Sequence, residues 1–155
     1  MRSGLLRLLA LFFVLLLPAC STSMSGGGYT VTNVSGNDAG KAASLISAYR
    51  ASYGLGPVTV DSRLYQPAAD QAQVVAQSGV LSHGNFASRM SKTGLQTGVE
   101  NLAAGSTTVE GVIEQWKQSA GHNSNMLRAD MTIMNLVRAD SNSPYRRHWV
   151  LVMAR

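Results

Sequence analysis

The chain has 155 residues, enough for one domain of ordinary size. Its formal charge of +5 includes Arg2 and Arg7; without them it is +3, and no basic cluster exceeds Arg146-Arg147, which excludes the concentrated basic face of a nucleic-acid-binding protein. The single cysteine, Cys20, excludes an internal disulfide and a cysteine-based zinc site, so an apolar core alone must hold the domain together.

Residues 1–19 read as an export signal. Arg2 and Arg7 form its basic start, and Leu8 to Leu17 is an apolar run too short to cross a bilayer as a finished helix. The run ends in Leu17-Pro18-Ala19-Cys20, which resembles the lipobox of bacterial lipoproteins. In that class the cysteine is lipidated and becomes the first mature residue, and several acyl chains on one residue anchor stably to a membrane. Ordinary secretion, with Cys20 a bystander, is the alternative. Ser21, where an aspartate would otherwise stand, resembles lipoproteins delivered to the outer membrane of Gram-negative cells. Residues 20–38 are rich in Ser, Gly and Asn and read as a flexible tether between lipid and domain.

Residues 39–155 read as the folded domain. Asp38 is placed to cap a first helix running to about Tyr53, with Leu45, Ile46, Tyr49 and Tyr53 at helical spacing. Gly54 to Pro57 ends it, and Val58 to Val60 is a short extended link. Asp61 or Ser62 can cap a second helix, with Leu64, Ala68, Ala72 and Val75 on one stripe and Gly79 at its end. His83 follows on a loop, free to point at a site. Residues 84–97 read as a polar loop with a helical piece around Phe86 to Met90.

In Gly98 to Gly105 the carboxylate of Glu100 stands in an otherwise apolar run, so it is expected to be buried beside a donor. A third helix runs from about Thr108 to Ser119 with Val109, Val112, Ile113 and Trp116 inward and Glu110 and Glu114 outward. Gly121 breaks it and His122 opens a short helical turn through Leu127. Thr132 to Ala139 and His148 to Ala154 read as strands of an antiparallel hairpin, the second dense enough in apolar residues to be buried on both faces. Tyr145, Arg146, Arg147 and His148 stand at a strand end, where they are either a recognition patch or ordinary surface. The fold class is α/β (α+β): a layered sandwich of helices and strands.

Three segments carry a resemblance: Leu81-Ser82-His83, Gly98-Val99-Glu100-Asn101-Leu102, and Trp116-Lys117-Gln118-Ser119-Ala120-Gly121-His122-Asn123. In this order they are similar to the signature segments of the CAP superfamily, the domain shared by cysteine-rich secretory proteins, antigen 5 and plant pathogenesis-related proteins. Ala48 to Leu55 and Tyr145 to Val152 resemble its first helix and last strand, and the likeness is to the short, disulfide-free bacterial branch. The resemblance implies a three-layer α-β-α sandwich with a small, mainly antiparallel central sheet and a central cavity. In many members two histidines and two glutamates line that cavity, and some bind zinc or another divalent cation there. His83, Glu100 and His122 match three of these positions, and Ser119 replaces the second glutamate. Asn135 stands where a glycine is expected in the penultimate strand.

The cavity expected from this resemblance is lined by His83, Glu100, Ser119 and His122. One reading is a non-catalytic ligand-binding or scaffold module of the cell envelope, with His83 and His122 as the metal ligands if a divalent cation such as zinc is bound. In its bland form the same residues only stitch loops together. A second reading is a hydrolase, with Glu100, Ser119 and His122 as catalytic candidates or a metal-activated water. Against it, no G-x-S-x-G elbow and no oxyanion loop are legible. A third, implied by the resemblance alone, is carriage of a lipid or sterol. The expected partners are a membrane, reached through lipidated Cys20, and a small ligand, lipid or envelope component. No nucleic acid is expected, and the chain reads as a monomer on the outer membrane or periplasmic face.

Overall fold

The computed structural model describes residues 28–155; the export signal, Cys20 and residues 21–27 of the expected tether lie outside the described residues. Five strands form one sheet in the order β1-β4-β5-β3, with β2 also on β4: β1 Val31–Ser35, β2 Thr59–Val60, β3 Gly98–Ala104, β4 Ile133–Ser141 and β5 Arg147–Ala154. All pairings are antiparallel except β2 on β4, which is parallel.

Strand β5 is central and its side chains alternate between two cores, as the period of two along a strand requires. Trp149, Leu151 and Met153 enter one core with helices α1 (Ala39–Ala51), α4 (Val109–Lys117) and α5 (Ala120–Met126). Val150, Val152 and Ala154 enter the other with α2 (Tyr65–Ser78) and α3 (Phe86–Ser91). The expected α-β-α sandwich is therefore present, with β5 buried on both faces.

The predicted stripes occupy these cores. Leu64, in the turn just before α2, and Ala68, Ala72 and Val75 within it are fully buried, and the alanines let the helix lie close on the sheet. Gly79 ends α2 in the left-handed region at φ 70, and a Cβ there would stand 2.6 Å from the Tyr29 ring. In α4, Val109, Val112, Ile113 and Trp116 are buried, and the Trp116 indole N–H donates to the Leu102 carbonyl at 3.1 Å.

Three expectations are corrected. Residues 31–35 are not tether: they form β1, whose Val34 and Ser35 pair with Ala139 and Arg138 of β4. Four β-branched residues, Thr30, Val31, Thr32 and Val34, suit a strand, and the free edge of β4 supplies the partner. The first helix stops at Ala51 and leaves Tyr53 exposed, because the backbone turns over Arg50, whose carbonyl accepts from Tyr53 and Leu55. Asp38 makes no cap hydrogen bond; its carboxylate takes Arg138 at 3.3 Å. Asp61 does cap, accepting from the Arg63 amide at 2.9 Å to open a 3-10 turn before α2.

Arg50 is fully buried, and its guanidinium donates to four carbonyls: Gly56 and Met126 at 2.8 Å, Arg128 at 2.8 Å and Met131 at 3.0 Å. Replacing it with methionine takes this donor from the Gly56, Met126 and Met131 carbonyls, while that of Arg128 keeps the Met131 amide at 3.3 Å, and each buried orphan costs on the order of 1–3 kcal/mol. Arg50→Met is expected to lose about 3 kcal/mol or more in urea unfolding, with Arg50→Lys in between because an ammonium cannot reproduce the planar fork. Unchanged stability of Arg50→Met would show that the cage contributes nothing.

Candidate functional site

Glu100 lies on β3, the edge strand opposite β1, with its side chain only 1% exposed. A buried carboxylate needs partners, and both oxygens have one. His83 Nδ1 lies 2.8 Å from Oε1, and Arg89 Nη2 donates to Oε2 at 2.5 Å. A carboxylate only accepts, so His83 Nδ1 carries the proton of this contact and donates it. The His83 side chain is 57% exposed, so the pair joins a buried acid to an imidazole at the surface.

The loop carrying His83 is clamped from two directions. Gln71 of α2 donates to the Ser82 carbonyl. Arg89 of α3 donates to the His83 carbonyl at 3.1 Å and, through Nε, to the Pro67 carbonyl at 3.2 Å. Sequence reading missed Arg89. Its signal was faint: one arginine in a short helical piece six residues after His83.

His122 sits in the first turn of α5 and is half-buried, its ring 6.5 Å from that of Trp116 between centroids. The Asn101 amide donates to the His122 carbonyl at 3.0 Å. Asn125 donates to Asn101 Oδ1 at 2.9 Å and to the Glu100 carbonyl at 3.3 Å. These amides tie α5 to β3 at the Glu100–Asn101 stretch. Burial pushes the His122 imidazole below its usual pKa, and the nearby His83 lowers it further. His83 and His122 therefore share one electrostatic site without a direct hydrogen bond.

Ser119 is half-buried at the start of α5; its amide donates to Trp116 and its carbonyl accepts from Asn123. Among the described residues no hydroxyl is hydrogen-bonded to His83 or His122. The serine–histidine contact present is elsewhere, between Ser143 Oγ and His148 Nε2 at 3.5 Å, and both residues are buried. His148 is thus not part of a surface patch: β5 turns it inward. Among the described residues no three histidine, cysteine or acidic side chains are gathered closely enough to hold a metal ion.

The family described as "CAP: Cysteine-rich secretory protein family" matches residues 43–153, which spans both cores, Glu100 and both site histidines. The chain belongs to the CAP family. It is 27% identical over 117 residues to the uncharacterized protein YkwD of Bacillus subtilis, covering 71% of this chain and 46% of that protein, so it spans about half the relative's length. Among solved structures it is similar to an outer surface protein of Borrelia burgdorferi, with TM-score 0.65, 19% identity, and coverage of 72% of this chain and 87% of that one. An extracellular SCP-domain protein of Bacillus anthracis gives TM-score 0.66 at 18% identity, covering 76% of this chain and 40% of that one. At these identities the two structures support the fold alone.

In an NMR titration of this CAP domain protein, His122 is expected to titrate below 6.5 and to move upward in His83→Ala. An unmoved value would mean that the two imidazoles do not sense each other. Burial also lowers the His148 pKa, with the Ala139 backbone and Asp140 pulling partly back. Both histidines thus bind protons more weakly folded than unfolded. Their contribution to stability is complete above the unfolded value near 6.5 and is lost as pH falls from there through the lower folded values. The urea midpoint is expected to fall between about pH 7.5 and pH 5.5, and less steeply in His122→Asn.

Proposed function

We propose that the protein is an exported lipoprotein, moored to a membrane through Cys20, whose CAP domain is a non-catalytic binding module. The observation that carries the non-catalytic part is the engagement of Glu100. A general base must come within hydrogen-bond reach of the proton it removes, and here the Glu100 side chain is only 1% exposed, closed in by His83 on one oxygen and Arg89 on the other. The groups left for a ligand are the outer edge of His83 and the half-buried His122. They suit a small polar group of the cell envelope that exchanges hydrogen bonds with imidazole.

The mooring is supported by the position of the single cysteine at the end of an apolar leader. The names of two structural neighbours, an outer surface protein and an extracellular protein, agree with export. Tyr29, which hydrogen-bonds to Gln77, follows Cys20 by nine residues, a reach of about 30 Å when extended. That length keeps the domain close to the surface carrying the lipid.

A resident divalent metal fits this donor set poorly. Two imidazoles lack a third ligand, the carboxylate is already engaged, and the Arg89 charge stands beside it. No metal is therefore assigned a role. Calorimetric titration with zinc is expected to give no saturable heat at micromolar concentration, and a saturable signal lost in His122→Ala would restore the metal site.

Cys20→Ser is expected to shift the protein from the membrane fraction to the soluble fraction and to abolish labelling by a palmitate analogue. Retention of both in the variant would end the lipoprotein reading. Turnover of an ester and peptide panel is expected to be the same for wild type and Glu100→Gln, and a Glu100-dependent rate would overturn the non-catalytic assignment.

A further inference from the structure

Asn135 belongs to a second site, toward the opposite edge of the sheet from Glu100. Two short strands share one edge of β4: β2 pairs with Ile133 and Met134, and β1 begins at Arg138. Asn135, Leu136 and Val137 lie in the gap between them. A hollow of about 700 Å³ opens there, and its polar lining comes from Asn33, Ser35, Asn37, Ser62, Tyr65 and Asn135. The volume falls within the range of ordinary small-molecule sites, roughly 300–1,000 Å³.

Asn135 is only 4% exposed. Its amide N–H donates to the Asp61 carbonyl at 3.0 Å, but its buried Oδ1 has no hydrogen-bond partner. A buried acceptor without a donor is costly and needs an explanation. This oxygen sits next to Gly36, 3.8 Å from where a Cβ at that residue would stand. The Tyr65 ring also rests on Gly36, 3.0 Å from the same position, so any larger residue at 36 would push the ring away. Tyr65 itself is 38% exposed and offers a flat apolar face at the rim.

We propose that this hollow binds a neutral saccharide. No lining residue is charged, so the site draws neither a cation nor an anion. Its amides and hydroxyls both donate and accept, which matches sugar hydroxyls that do the same. A pyranose has an apolar C–H face that lies flat on an aromatic ring, and Tyr65 supplies the ring. A ligand hydroxyl reaches the buried Asn135 Oδ1 as the half-exposed Tyr65 ring shifts outward. An extended peptide fits less well, because the gap in the β4 edge is too short to pair a strand. The site is independent of the His83–Glu100 cluster and does not rest on its assignment.

The test is saturation-transfer NMR on the full-length protein in mild detergent, with maltose and N,N′-diacetylchitobiose as neutral probes and digalacturonic acid as the charged one. Saturable transfer is expected to at least one neutral disaccharide, strongest at ring C–H protons. Tyr65→Leu keeps apolar bulk at an exposed position but loses the ring, and is expected to weaken binding on the order of tenfold. Asn135→Ser should weaken it as well, and His83→Ala should leave it unchanged. No transfer to either neutral probe, transfer undiminished in Tyr65→Leu, or stronger transfer to the charged probe would each overturn the proposal.

Discussion

The architecture depends on one buried cation. Arg50 has no carboxylate within salt-bridge distance among the described residues; its charge is met by main-chain oxygens alone. That of Met126 belongs to the end of α5, where the last carbonyls of a helix have no internal partner and carry its negative dipole, and that of Arg128 lies just beyond it. Burial lowers the Arg50 pKa, against a raising influence from Asp130, but a guanidinium stays charged. One side chain therefore fixes the end of α1, the loop at Gly56, the end of α5 and the approach to β4. Without disulfides, such a multidentate contact is the available way to tie irregular chain to the core.

The site inherits its rigidity from this arrangement. Arg50 sets the end of α5, while Asn101 and Asn125 fasten the same helix to β3. On the other side Arg89 holds the loop of His83 and neutralises the acid that loop faces. The two arginines use the same fork differently. Arg50 meets only carbonyls, whereas Arg89 divides its donors between carbonyls and a buried carboxylate. Where the family pattern has a second glutamate, Ser119 brings no charge, so the local balance rests on Arg89 and Glu100 alone.

Periodicity made the sandwich legible. The stripes of α2 and α4 and the dense apolar run of β5 could be assigned because burial on one or both faces forces those patterns. The burial of Glu100 could be inferred from its apolar neighbours. What stayed hidden depends on contacts remote along the chain. Strand β1 was masked by the Ser and Gly around it, since its order comes from β4, more than a hundred residues later. Nothing in the sequence singled out Arg50 or Arg89, because sequence does not say which carbonyls will converge on them. His148 looked like a strand-end residue, but the turn over residues 142–146 lies beyond it and leaves it inside.

The sheet order also constrains how the domain is made. β1, β2 and β3 do not pair with one another; each waits for β4 or β5, and these two come last in the chain. β1 and β2 have no partner until residues 133–141 are made, and β3 none until residues 147–154 follow. Such pairings between segments remote along the chain are slow to form, and a polypeptide cut short of residue 147 would leave β3 with no strand to join.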